Sequence, residues 1–124
     1  MAHILLVDDD EDLRQMLAVA LAGMGHRVTE AQDGKQAITL FSQNPTDVVV
    51  TDLVMPDKDG LELVRELKRQ HNQVKIIAMS GGGRIDAGDF LKIAKLLGAD
   101  RILKKPFFLP QLAATLDELL PKAS

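Results

Sequence analysis

Asp8, Asp9, Asp52, Ser80 and Lys105 are the side chains of this 124-residue sequence that could do chemistry together. Each follows a short run that reads as a strand. Ile4-Leu5-Leu6-Val7 runs into Asp8-Asp9, Asp47-Val48-Val49-Val50-Thr51 into Asp52, Lys75 to Met79 into Ser80, and Arg101 to Lys104 into Lys105. If the runs are parallel strands of one sheet, their carboxyl ends share an edge and these side chains share a crevice. No piece is specific alone; the convergence is what informs. Three carboxylates within a few ångströms repel one another unless a positive charge sits among them. Oxygen ligands without cysteine or histidine suit a hard cation that keeps several waters, Mg²⁺ or Mn²⁺. Such a metal commonly bridges carboxylates to a phosphoryl group. Lys105 would bring a second positive charge to phosphoryl oxygens, and the Ser80 hydroxyl a hydrogen bond to one of them. One carboxylate could then be a nucleophile, since aspartate forms acyl phosphates.

Stretches of helical periodicity separate the runs. Leu13, Met16, Leu17, Ala20, Leu21 and Met24 recur at three- and four-residue steps and predict a helix closed by Gly25. Arg27 to Ala31 is a brief second strand, broken by Asp33-Gly34. Ala37, Ile38 and Phe41 mark a second helix that stops before Pro45. After the β-branched third strand, a loop with Pro56 and Asp59-Gly60 leads to a helix carrying Leu61, Leu63, Val64 and Leu67. Ser80-Gly81-Gly82-Gly83 reads as a loop. Phe90, Leu91, Ile93, Ala94 and Leu97 form a fourth helix, stopped by Gly98. Leu112, Leu116, Leu119 and Leu120 stripe a fifth, with Pro110 in its first turn and Pro121 beyond its end. Five strands alternating with five helices predict a doubly wound α/β fold: a five-stranded parallel sheet, order 2-1-3-4-5, flavodoxin-like, with helices on both faces. The nearly all-apolar strands 1, 3 and 4 agree, because strands covered on both faces carry no polar side.

Composition narrows the function classes. The chain is 46% apolar and 27% charged, with a formal net charge of −3, which suits one globular domain over 1–124 and excludes disorder. No apolar run approaches the ~18 residues of a membrane span, and no secretory signal opens the chain, so the expectation is a cytoplasmic protein. Without cysteine there is no disulfide framework, thiolate zinc site or cysteine nucleophile. The acidic balance argues against direct nucleic-acid binding. A flavin carrier of similar topology fails on its 3% aromatics, with no tryptophan or tyrosine, and on an acidic first turn where a flavin phosphate needs amides and hydroxyls.

Val7-Asp8-Asp9, Asp52 with Met55-Pro56 and Asp59-Gly60 after it, Ser80, and Gly98-Ala99-Asp100 leading to Lys105-Pro106-Phe107 together resemble the response-regulator receiver domain of two-component signalling. The resemblance runs from about Ile4 to Leu120. It implies that Asp52 is the phosphoacceptor, taking a phosphoryl group from a sensor histidine kinase, a phosphotransfer domain or a small acyl phosphate. It implies that Asp8 and Asp9 hold Mg²⁺ with Asp52 and the backbone carbonyl of Val54, with Ser80 the switch hydroxyl and Lys105 the active-site lysine. The Lys105–Pro106 bond is cis in this family. Function would then be a switch in partner affinity at the face of helix 4, strand 5 and helix 5, with self-catalysed phosphorylation and dephosphorylation and no turnover of a substrate. The expected assembly is a monomer or a phosphorylation-dependent dimer, with no output domain in this chain.

Three positions depart from the family's pattern. Ile102 stands where the switch aromatic usually is, so the usual hydroxyl-to-aromatic relay cannot run. The loop after Ser80 has three glycines, and Val54 has no polar side chain to orient a hydrolytic water, which predicts a phosphoryl group slowly lost. A slight similarity to the haloacid-dehalogenase phosphatases, through Val7-Asp8-Asp9-Asp10, offers an enzyme instead, with Asp8 as nucleophile; the chain is short for one and lacks a later acidic pair.

The remaining features have plainer readings. Asp10, Glu11 and Asp12 complement the dipole of helix 1, and Lys104 is a solvated strand residue. Gly81-Gly82-Gly83-Arg84 lacks the lysine and hydroxyl of a phosphate loop. His3, His26 and His71 belong at the surface or an edge, and the methionines on apolar faces belong to the core. Phe108 is either packed under its loop or part of a partner surface.

Overall fold

The structure, a computed structural model, describes residues 2–53, 60–71, 73–80 and 87–120, with the backbone alone for 87–91. The strands are β1 (His3–Val7), β2 (Arg27–Ala31), β3 (Val48–Asp52), β4 (Lys75–Ser80) and β5 (Arg101–Lys104). They alternate with α1 (Glu11–Gly23), α2 (Gly34–Gln43), α3 (Gly60–Gln70), α4 (Ala87–Leu97) and α5 (Leu109–Leu119). All neighbouring strands pair in parallel, in the order β2-β1-β3-β4-β5. This is the predicted doubly wound, flavodoxin-like fold.

Side-chain alternation along the strands divides the interior into two layers. Leu5, Val7, Val49, Ile76 and Ala78 face Ala37 and Phe41 of α2, Leu63, Val64 and Leu67 of α3, and Ala94 of α4. Ile4, Leu6, Val48, Val50, Ile77 and Met79 face Leu17 and Leu21 of α1 and Leu112 and Leu116 of α5. Both faces are thus apolar and covered, the condition that makes purely parallel pairing stable.

Local signals set the element ends. The Asp10 side chain caps α1 by accepting from the Leu13 N–H at 3.1 Å, and the Asp33 side chain caps α2 through the Gln36 N–H at 2.7 Å. Gly25 (φ 96°) lets the chain turn back after α1. Phe108 precedes α5 and has no side-chain oxygen to cap it; the Gln111 side chain reaches back and accepts the Phe108 N–H at 2.8 Å. The Lys105–Pro106 bond is cis, as the resemblance implied.

Further contacts place the carboxyl edge of the sheet. Asp100 exchanges backbone and side-chain bonds with Ile76, its N–H donating to the Ile76 carbonyl at 2.8 Å and its carboxylate accepting the Ile76 N–H at 2.8 Å. Lys68 pairs with the same carboxylate at 2.9 Å, so β5 and hence Lys105 are registered from the far end of the sheet. At the near end Gly60 opens α3 directly over β3. A Cβ there would collide with the Asp52 carbonyl oxygen and lie 2.5 Å from the Leu53 Cα. Gly60→Ala should therefore lower stability by about 1–3 kcal/mol, the usual range for overpacking. An unchanged urea midpoint would show that α3 can retreat freely.

Two expectations are corrected. β3 begins one residue later than Asp47 and ends on Asp52, and β4 ends on Ser80, so Asp52 and Ser80 belong to strands and inherit strand rigidity. Of the described methionines, Met79 is buried, whereas Met16 and Met24 are exposed. Leu17 and Leu21 already fill the α1 side of the core, and the two methionines fall on the flank of that stripe. Ile93 and Leu96 of α4 are likewise exposed beyond what the core requires.

Candidate functional site

The carboxyl edge of the sheet gathers the expected residues. Asp8 leaves β1 with its N–H donating to the Ala31 carbonyl at 3.1 Å, which fixes it to β2. Its side chain is fully buried, a position that a carboxylate tolerates only when its oxygens are satisfied. They are: the Asp10 N–H donates to Oδ1 at 2.9 Å, and the Lys105 ammonium donates to Oδ2 at 2.8 Å. Asp52 is buried at the end of β3, where its Oδ1 accepts the Leu53 N–H at 2.9 Å. Its Oδ2 lies 3.5 Å from the Lys105 ammonium. Asp9 is exposed at the mouth.

Ligand oxygens from Asp8, Asp9 and Asp52 all lie within 4.8 Å of one another. Mg²⁺ binds oxygens at about 2.0–2.1 Å and usually keeps several waters, so a group of this spread fits one ion held partly through water. Without a cation the same carboxylates repel, and Lys105 is the ammonium that offsets them.

The pKa of Lys105 reflects that position. Burial pulls it down, but the hydrogen bond to Asp8 and the charges of Asp52 and Asp8 together outweigh burial and hold it above its ordinary 10.5. A lysine with a raised folded-state pKa contributes stability that is complete below about pH 10.4, its unfolded value, and is lost as pH climbs through the folded value. The stability gap between the wild type and Lys105→Met should therefore stay level to about pH 10 and narrow above it. Urea titrations across that range check this; a gap that closes already near neutrality contradicts it.

Ser80 is buried at the end of β4, and its carbonyl accepts the Lys105 N–H at 2.7 Å, so the hydroxyl-bearing residue and the lysine are joined through the backbone. Ile102 pairs with Ala78 of β4 and is 40% exposed. Val54, Met55-Pro56, Asp59 and the Gly81-Gly82-Gly83-Arg84 stretch lie outside the described residues. The histidines take edge positions as expected. His3 bonds Thr29 at 2.8 Å, His26 accepts the Ala2 N–H at 3.2 Å, and His71 meets the Phe41 ring edge-on at 4.7 Å.

Sequence reasoning missed Arg14. Its guanidinium donates to the Asp8 carbonyl at 2.8 Å and to the Glu30 carboxylate at 3.0 Å. The available signal was a cation near the N-terminus of a helix, where the dipole disfavours it. An apolar recess of about 450 Å³ also adjoins Lys105, lined by Leu13, Met16 and Leu17 of α1 with Pro106, Phe107 and Leu109. Phe108 stands nearby in sequence and is 79% exposed, so it is not packed under its loop.

The family model for the response regulator receiver domain matches residues 4–117. The chain is 38% identical over 123 residues to the response regulator MprA of Mycobacterium sp. (strain KMS), covering 98% of this chain and 52% of that protein. It is 40% identical over 126 residues to the sensor kinase CckA of Brucella abortus (strain 2308), covering 98% of this chain and 13% of that one. The chain thus spans about half the length of the curated response regulators it matches. Among solved structures, the chemotaxis protein CheY4 of Vibrio cholerae superposes with a TM-score of 0.85 at 30% identity, over 97% of this chain and 99% of that one. No helix among the described residues is long and apolar enough to cross a membrane.

Proposed function

Because this chain belongs to the response regulator receiver domain family, we propose that residues 1–124 act as one phosphoacceptor switch in a two-component or phosphorelay pathway. The observation that carries this reading is the group of Asp8, Asp9 and Asp52, with the Lys105 ammonium against Asp8 and Asp52. Asp52 is the acceptor. One of its oxygens attacks phosphorus in the phosphohistidine of a sensor kinase or phosphotransfer domain, or in a small acyl phosphate. The new P–O bond forms as the bond to the leaving nitrogen or oxygen breaks, and the leaving group keeps that electron pair. Mg²⁺, or Mn²⁺ in its place, would supply charge neutralisation at the phosphoryl oxygens, with Asp8, Asp9 and Asp52 as its side-chain ligands and the Val54 carbonyl as a further one. Lys105, now shared between Asp8 and Asp52, would pair with a phosphoryl oxygen on Asp52, and the Ser80 hydroxyl would donate to another.

The output is a change of partner affinity rather than turnover. A phosphorylated Asp52 draws Ser80 and Lys105 toward it; Ser80 ends β4 and Lys105 follows β5, the strands that border α4 and α5. Exposed Ile93, Leu96 and Ile102 on α4 and β5 support a downstream protein as the partner of that face. Ile102 takes part by packing there, since it has no hydroxyl-linked ring to swing. A cytoplasmic location and a monomer or a phosphorylation-dependent dimer complete the proposal. A phosphatase with Asp8 as nucleophile is disfavoured because Asp8 is fully buried and its Oδ2 is held by Lys105 at 2.8 Å, whereas Asp52 keeps some exposure and stands farther from that ammonium, at 3.5 Å.

The test is to incubate the protein with Mg²⁺ and acetyl phosphate and read intact-mass and peptide spectra, beside Asp52→Asn and Asp8→Asn. One phosphoryl group that requires Mg²⁺ and maps to Asp52 is expected. Turnover of phosphate esters that survives Asp52→Asn and is lost in Asp8→Asn would replace the switch with the enzyme.

A further inference from the structure

We infer that Arg14 is a positioning residue for the metal site, acting through the backbone of Asp8. The Arg14 side chain is only 12% exposed, and its guanidinium has two acceptors. Nη1 takes the Asp8 carbonyl at 2.8 Å, and Nε takes Glu30 on β2 at 3.0 Å. The Asp8 carbonyl belongs to the peptide that joins Asp8 to Asp9, so fixing it fixes the plane from which Asp9 departs. The Asp8 N–H is already tied to Ala31 on β2, and the Asp10 N–H to the Asp8 carboxylate. With Arg14 in place, the Asp8-Asp9-Asp10 turn is held on every side except that of Asp9, which is left facing the mouth.

This arrangement answers why an arginine stands in α1 three residues after Glu11, where the helix dipole disfavours a cation. A planar fork can hold a carbonyl and a carboxylate at once; a lysine's point charge cannot do so with the same geometry. Glu30 in turn offsets the charge that Arg14 brings close to a cation site. Charge and positioning have opposite signs here. As a charge, Arg14 repels a divalent cation, and its removal would tighten Mg²⁺ binding. As a positioning group, its removal would weaken Mg²⁺ binding.

The inference rests on the Mg²⁺ reading above, and the measurements separate the two. Mg²⁺ is titrated into the wild type, Arg14→Gln and Arg14→Lys without any phosphodonor, following the Asp9 and Asp10 amide resonances. Amide exchange of Asp10 is measured in Mg²⁺-free protein. Both variants are expected to bind Mg²⁺ about ten-fold more weakly, the lower end for loss of a group that orients a ligand. Both should also exchange the Asp10 amide faster. Equal or tighter binding in Arg14→Gln, or unaltered binding in Arg14→Lys, overturns the inference. If Arg14→Gln does not fold, Arg14→Lys carries the test, because it keeps the charge and loses only the fork. A wild type that binds no Mg²⁺ removes the metal reading and this role with it, whereas a binding wild type with unaffected variants removes only the role.

Discussion

Lys105→Met is expected to lose phosphoryl incorporation from acetyl phosphate by about 10²–10³-fold, the cost of removing one preorganised donor to developing phosphoryl charge. It should also unfold more easily, by about 3 kcal/mol, because a fully buried Asp8 carboxylate is left without its ion-pair partner. The lower end of the range for broken buried pairs applies, since the Lys105 side chain is 19% exposed and Asp8 keeps its bond from the Asp10 N–H. The two losses have different origins and should separate. In Lys105→Met/Asp8→Asn the orphaned charge is gone while the Asp10 N–H keeps an acceptor, so stability returns to near the wild-type value. Phosphoryl incorporation does not return, since the ammonium that would meet the phosphoryl group at Asp52 is still missing. Urea unfolding and intact-mass kinetics on the two variants read both quantities. A double variant as unstable as Lys105→Met would mean that the lysine stabilises the edge by something other than its pairing with Asp8.

Mg²⁺ is expected to raise the thermal midpoint of the wild type by about 10 °C at a hundred times its dissociation constant. That follows from about 2.7 kcal/mol of linkage stabilisation and the entropy of unfolding of a domain of this size. Asp9→Asn should cross this behaviour. In Mg²⁺-free buffer the variant should be more stable than the wild type, because one member of a mutually repelling group has become neutral. With Mg²⁺ the order should reverse, because the variant has lost a charged ligand. Matched ionic strength with NaCl separates specific binding from screening. A variant less stable than the wild type in both buffers would show that Asp9 is held for its part in the turn and not for its charge.

Most of the candidate site at the carboxyl edge was legible in the sequence, for a local reason. A parallel strand covered on both faces must be apolar throughout, so the first charged or polar residue after it marks where the chain leaves the core. Asp8, Asp52 and Ser80 stand at or beside such a mark, Lys105 follows an edge strand that is itself charged at both ends, and parallel pairing brings all four to one edge. The helices were legible through their apolar spacing in the same way. Exposure of Met16, Met24 and Ile93 was not, because spacing tells which face of a helix is apolar but not how wide a face its neighbours cover.

The sequence by itself determined the fold class, the strand order and which side chains meet, since each depends on periodicity within a few residues and on chain-crossing rules. Tertiary structure alone decided how they meet. It decided that Lys105 takes Asp8 at 2.8 Å and stands 3.5 Å from Asp52. It decided that α2, α3 and α4 cover one face and α1 and α5 the other. It also decided that Gly60 must lack a side chain above Asp52, and that Arg14 holds the peptide after Asp8. For Arg14 and Gly60, close in sequence to what they touch, the physical reason is that periodicity does not encode the geometry by which the chain turns between elements; for Lys105 it is sequence distance. The Asp8–Lys105 pair spans 97 residues, and a contact of that kind leaves no periodic trace in either segment.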